Sequence, residues 1–480
     1  MSDGLVAVVL LIAAGRSTGI DRRVTLAVVI GADPVRPASC PECAASLVGA
    51  GAEPPWCPEC EWNLGVLPAS RSGRQWRLRR RLDGLAFAVD RRLFADLAGA
   101  LPNRPRWSLG LLTVMVISVL LGAATLALLV VGVVLIVTAT WPAKVLGLLL
   151  VGVSFELRPR LPGVDATSGY RTRAELPALF RGIDSIAAQI GSPSVNVVVV
   201  EGTFDASCAR YGLRRRRVLV LGLPLWASLS PAGRVALLGH QLAHLVDGDP
   251  EQYLLTQPAL ATFGNLADAF ARRGRVLPDE EIRGGEDGEV TAAEYVAMMG
   301  TPGYQSGRPA RNSFESMAGA SSALLFKPLN WLCTAAHRAL RALTAHSRQR
   351  AEYYADALAL DVAGTAGVIE YCQTLLLNEP VFVTARRWLR VGAAPATVHV
   401  EAADTIARYD ADLRRREQHS MRTESSLFAG HPPTGRRLRM LRTWPTAEGR
   451  LSSDALDFAA IDAQLEPDYR RVARTLTHVP

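Results

Sequence analysis

The amino-acid sequence predicts an α+β protein, mainly helical with a short β-sheet, that carries a four-cysteine ribbon and a helical hairpin of membrane-spanning length. Three observations carry that prediction. Four of the seven cysteines form two Cys-x-x-Cys pairs, Cys40 with Cys43 and Cys57 with Cys60. Leu109 to Phe155 is almost unbroken apolar sequence. Beyond residue 165 helical periodicity dominates, interrupted by two short β-branched runs.

At 480 residues the chain has room for two or three domains. Its net charge of +8 is concentrated in two arginine clusters, Arg74 to Arg81 and Arg214 to Arg217. The first stands just before the apolar stretch, a placement that suits an anionic bilayer surface. Trp76 is the only aromatic residue in either cluster, whereas a nucleic-acid surface needs several stacking platforms, so no nucleic-acid partner is expected. The remaining cysteines, Cys208, Cys333 and Cys372, stand alone. An odd total with paired short spacings makes a poor disulfide framework and a good metal site, which argues for a reducing compartment.

Residues 1–35 are left unassigned: Leu5 to Ala14 is apolar but short, with no basic segment before it, and reads as neither signal peptide nor span. Residues 36–70 form the ribbon. Each Cys-x-x-Cys turn offers two thiolates, and Cys40, Cys43, Cys57 and Cys60 together complete a tetrahedral structural zinc shell. Residues 76–101 read as an amphipathic helix that lies on a bilayer or packs on the ribbon.

As one helix, the apolar segment (108–156) would run about 70 Å, twice the hydrocarbon thickness, so a two-span hairpin is expected. Gly122, Gly132 or the Trp141 to Lys144 stretch could mark its turn. Arg104 and Arg106 precede it, and Arg158 and Arg160 follow. The positive-inside rule then places both ends, and the soluble domains, on the cytoplasmic side of a multi-pass cell-membrane protein.

Residues 165–445 form the main domain, and 446–480 a C-terminal tail. Leu176 to Ile190 has helical spacing, while Val195 to Val200 and Arg217 to Leu221 read as strands. Residues 276–314 look like a loop. Ala318 to Ala336 reads as a helix resting on protein or membrane, since Lys327 and Pro328 argue against a span.

The chemistry concentrates in two helices. Ser230 and Pro231 form a helix start, and His240 and His244, four residues apart, share a face from which both imidazoles reach one zinc ion. A second helix, beginning at a capping Ser347, carries Glu352 and Asp356 on one face. Glu352 can supply a third protein ligand and leave the fourth position open. Asp356 can accept the free N–H of a ligand imidazole and fix its tautomer.

Three motifs together, Leu237 to Leu245 with Gly248-Asp249 beyond, Glu352-Tyr353-Tyr354-Ala355-Asp356, and His431-Pro432-Pro433-Thr434 followed by Arg437 and Leu438, resemble the membrane zinc metallopeptidases of the HtpX and CAAX prenyl endopeptidase type. The resemblance covers roughly residues 170–445 and implies a zincin-like metallopeptidase domain. It implies His240, His244 and Glu352 as zinc ligands, Asp356 behind them, and His431 and Arg437 lining the site to steady negative charge. It also implies protein or peptide substrates, drawn from membrane proteins, misfolded proteins or prenylated peptides.

One position departs from the family pattern. Gln241 stands where the His-Glu-x-x-His motif has its general base, and an amide has no usable basicity near neutral pH. Either another carboxylate serves, with Asp247, Asp249 and the Asp279 to Glu281 stretch as candidates, or the protein binds zinc and captures proteins without cutting them. In the second reading the Val195 to Val200 strand is the edge that receives a peptide.

Overall fold

The computed structural model describes residues 39–49, 54–66, 74–104, 107–158, 169–212, 214–246, 255–274, 321–451 and 455–477. Leu5 to Ala14, the loop 276–314 and the candidate carboxylates Asp247, Asp249 and Asp279 to Glu281 lie outside the described residues.

The cysteine pairs occupy two turns of the same design. Ala44 and Glu61, each following the second cysteine of its pair, adopt left-handed backbone (φ 60 and 62). Each donates its N–H to the carbonyl of the first cysteine, Ala44 to Cys40 at 2.9 Å and Glu61 to Cys57 at 3.0 Å. Antiparallel bridges between Ser39 and Ser46 and between Val48 and Trp56 close the unit. Helix α1 (Arg74–Leu97) follows and packs on protein: Phe87, Leu93 and Leu97 are buried, and Phe87 meets Trp56 and Leu64 of the cysteine unit.

Helices α2 (Leu109–Thr138) and α3 (Trp141–Leu157) pack against each other, with the break at Ala139 and Thr140. The second leg is short, 17 residues or about 26 Å of helix, against 30 residues or about 45 Å for the first. Among the described residues α2 alone is long and apolar enough to cross a membrane by itself. Gly132 and Gly147 mark close helix contact rather than the turn. A Cβ on either would stand 2.7–2.8 Å from the other's carbonyl oxygen. Ser154 also donates to the Thr125 carbonyl at 3.0 Å. Small residues where backbones meet are what helix pairs in lipid require.

The main domain opens with strand β1 (Tyr170–Arg171) and helix α4 (Pro177–Ile190), followed by β2 (Val197–Glu201), β3 (Ala206–Tyr211) and β4 (Arg216–Gly222). The sheet order is β1-β2-β4-β3, with β2 parallel to β4 and both other pairings antiparallel. The valine run expected to offer a free edge is therefore interior. Val198 and Val199 pair with β1, and the long edge strand is β3.

Helices α5 (Leu223–Ser228) and α6 (Pro231–Ala243) come next, then α7 (Gln257–Gly274) and α8 (Ser321–Leu376), which bends at Gly364 (φ 79). Ser347 is not a helix start. It lies inside α8, and its hydroxyl donates to Ser108 at the foot of the hairpin (2.8 Å). Cys333 and Leu340, in the same helix, are buried, with Leu340 against Val114 and Ala259, while Trp331 is exposed. Of the helix expected over Ala318 to Ala336, residues 321–336 form the first part of α8.

Helices α9 (Asn378–Arg390), α10 (Pro395–Arg408), α11 (Leu413–Thr423), α12 (Thr434–Thr443) and α13 (Phe458–Thr477) complete the chain. The last corrects the expectation of a tail. Its Ile461, Leu465 and Val472 are buried in the main core, Asp462 pairs with Arg234 of α6 at 2.8 Å, and Asp468 with Arg171 of β1 at 2.8 Å.

Replacing Gly132 by Val forces the two hairpin helices apart. The variant should lose roughly 1–3 kcal/mol of stability, the usual range for overpacking, seen as a lower Tm in detergent. An unchanged Tm would mean that the two helices do not pack closely.

Candidate metal centre

Helix α6 starts as its sequence dictates: the Ser230 hydroxyl accepts the Gly233 N–H at 3.1 Å, with Pro231 in the first turn. Glu370 of α8 takes both the Ser230 N–H, at 2.6 Å, and the Ser230 hydroxyl. This bond pins the start of α6 to α8 and fixes how the two helices face each other. Their common interface then brings His240, from the last turn of α6, and His244, just past its end, against Glu352 of α8.

The donor atoms nearly touch. His240 Nε2 and His244 Nε2 are 3.4 Å apart, His240 Nε2 lies 3.4 Å from Glu352 Oε2, and His244 Nε2 lies 3.5 Å from Glu352 Oε1. Ligands held 2.0–2.1 Å from a tetrahedral zinc ion stand about 3.3–3.4 Å apart, and one donor atom from each of the three residues lies within 4.8 Å of the other two, so the trio suits a zinc ion. The buried Glu352 Oε2 makes no hydrogen bond, which is the state expected of an atom reserved for an ion. Burial alone would raise the Glu352 carboxyl, but His431, His244 and His240 around it hold it well below the ordinary range.

Behind the trio lies a buried ion pair. Asp356 Oδ1 is 2.9 Å from His240 Nδ1, which leaves Nε2 free for the ion. Arg437 of α12 meets Asp356 through Nε at 2.8 Å and Nη2 at 2.6 Å. Burial opposes ionisation of Asp356, yet Arg437 and His240 together hold its carboxyl below the ordinary value. Arg437 thus departs from its expected role. It is 4 % exposed and is occupied by Asp356, so it holds the scaffold of the site instead of lining an open face. His431 does line the trio, with Nδ1 2.8 Å from Glu352 Oε1 and most of its ring in solvent.

Gln241 is buried, and its amide donates to the Tyr371 hydroxyl at 3.4 Å. The Tyr371 ring also stands 5.6 Å from that of His240. Neither Tyr371 nor Asp205 was expected from the sequence. Asp205, just before β3, reaches solvent but is within electrostatic range of Glu352, His431 and Tyr371. Surrounding protein and the charge of Glu352 push its carboxyl up, against the Ala206 N–H and His431. No sequence spacing links Asp205 to α6 or α8; the sheet topology brings it there.

In the cysteine unit, Cys40 and Cys60 stand 3.4 Å apart, as do Cys43 and Cys57, and all four sulfurs lie within 4.8 Å of one another. The Glu42 N–H donates to Cys40 Sγ and the Cys60 N–H to Cys57 Sγ, bonds that favour thiolate. The cluster is consistent with a zinc ribbon.

The family model described as peptidase family M48 matches residues 175–445. Neither a curated protein nor a solved structure matches the chain.

Asp356→Asn removes the charge that steadies His240 and leaves Arg437 buried without its partner. Zinc affinity at the histidine centre should fall 10- to 100-fold, read by competition with a chromogenic chelator. Undiminished affinity would show that Asp356 does not support the ligand set.

Proposed function

We propose, from the premise that this chain belongs to peptidase family M48, that it is a membrane-anchored zinc metalloendopeptidase acting on membrane or misfolded proteins. The observation that carries the proposal is the His240, His244 and Glu352 trio at zinc-ligand spacing, with Asp356 and Arg437 behind it. Zinc bound there supplies Lewis acidity toward a peptide carbonyl. The apolar helix α2 is the anchor, with α3 as a second span and the soluble domains toward the cytoplasm.

The chain's own groups supply the rest. A substrate segment adds as a strand to the β3 edge, which ends beside Asp205 and packs on α6. Gln241 cannot accept a proton, but its side chain and the Tyr371 hydroxyl it bonds can orient a polar group between them. Asp205 takes the proton that Gln241 cannot. A carboxyl raised above its ordinary value holds a proton more readily, which suits that task. His431 faces the same space from the side of Glu352 and is placed to donate to developing negative charge.

Gln241 favours a second reading, in which the assembled centre binds zinc and holds protein partners without cutting them. Cleavage of an unfolded reporter in detergent separates the two. The proposed peptidase cuts, a chelator stops it, and Asp205→Asn lowers kcat by about 100-fold or more, the usual weight of a general base. If the protein as it stands does not cut and Gln241→Glu does, the site is assembled but disarmed, and the capture role replaces the peptidase reading.

A further inference from the structure

The cysteine unit and α1 lie outside the matched family region, yet they grip the one segment that delivers both His431 and Arg437 to the centre. That segment is α11, the turn after it and α12. Its two helices are locked together: Arg442 pairs with Glu417 at 2.7 and 2.8 Å, and Gly435 lies so close to the Glu417 carbonyl that a Cβ there would stand 2.1 Å from the oxygen. Movement of either helix therefore moves the other.

The cysteine unit holds α11. Trp56 is buried and donates through Nε1 to Gln418 Oε1 at 3.0 Å, while Gln418 Nε2 donates back to the Pro58 carbonyl at 2.9 Å. Arg422 lies over the Trp56 ring, 4.2 Å from its centroid, and donates to the Pro54 and Val66 carbonyls. Arg414 bonds Glu59, and Arg439 of α12 pairs with Glu61. Three of these acceptor residues, Pro58, Glu59 and Glu61, adjoin Cys57 or Cys60 in the chain, so their positions depend on the turn those cysteines form.

Helix α1 holds α12. Asp90 Oδ2 accepts from Arg436 Nε at 2.8 Å, both side chains are at most 4 % exposed, and the guanidinium stands near the Phe87 and Phe94 rings. Asp90 Oδ1 and Arg436 Nη2 lack hydrogen-bond partners, so the pair is a costly way to fill this space. Buried ion pairs of that kind serve register better than stability. Arg436 directly precedes Arg437, and the register of α12 on α1 is therefore the register of Arg437 on Asp356.

We propose that Asp90 is a positioning residue for the metal centre and that the four-thiolate cluster is the clasp that keeps its module seated. Loss of the clasp loosens α12 and weakens the hold of Arg437 and Asp356 on His240. The inference rests on the zinc reading of the histidine centre. Its partner is internal to the chain, and it makes the intact four-thiolate cluster a control on the centre.

The test compares the full-length protein in detergent with Asp90→Asn, with Cys40→Ser/Cys43→Ser, and with Asp184→Asn. The last breaks the exposed ion pair between Asp184 of α4 and Arg173, which precedes that helix, and serves as a control for general destabilisation. Two quantities are read: hydrogen exchange of the 434–443 backbone, and zinc affinity of the histidine centre. Both Asp90→Asn and the cysteine variant should speed exchange across α12 and weaken zinc at the histidine centre by about tenfold, with the control unchanged and Asp90→Glu partly restoring both. If neither variant alters exchange or affinity, the proposal fails. If the cysteine variant does not fold, the Asp90→Asn result decides alone. If the parent protein binds no zinc at the histidine centre, the metal reading fails, and exchange across α12 still decides whether the module positions it.

Discussion

The structure depends on one buried carboxylate, Asp356, held between His240 and Arg437. A fully buried aspartate is tolerable only when its charge is matched and its lone pairs are occupied. The protein meets both conditions with groups that have further work. The imidazole it bonds presents its other nitrogen to Glu352 and His244, and the arginine it bonds belongs to a helix fastened from behind by α1 and the cysteine unit. Removing the carboxylate would leave a ligand ring without a fixed orientation and a buried guanidinium without a partner. The centre and the packing around it are thus one electrostatic unit.

Features set by neighbouring residues were legible in the sequence. The Ser230-Pro231 start, the i, i+4 pairing of His240 with His244 and the paired Cys-x-x-Cys turns depend on local geometry, and the structure has each of them. Glu352 and Asp356 were found for the same reason, although Ser347, read as their helix cap, sits inside a much longer helix. A serine at that position is indistinguishable from a cap until its partner Ser108, across the chain, is known.

What the sequence hid was topology. The Val195 to Val200 run looks like an edge only while the two-residue strand β1 is unknown, and one short antiparallel pairing makes it interior. Asp205 and Tyr371 carry no motif, and reach the site through the strand order and the second half of α8. The arginine-rich side of α1 suggested a bilayer surface or packing on the ribbon, and neither reading pointed to the Asp90 to Arg436 pair, whose charges are buried. The C-terminal helix, expected as a tail, carries among its apolar positions charges that bond Arg234 and Arg171.

The two clusters of candidate ligands differ in chemistry, four sulfurs that would close a shell and two imidazoles with a carboxylate that would leave one open. X-ray absorption at the zinc edge tests this difference most directly, on the purified protein and on His240→Ala/His244→Ala. The parent should give a mixed sulfur and nitrogen or oxygen spectrum, which becomes purely sulfur-ligated, with half the zinc content, in the double variant. A parent spectrum with sulfur scattering alone, unchanged by the double substitution, would contradict it.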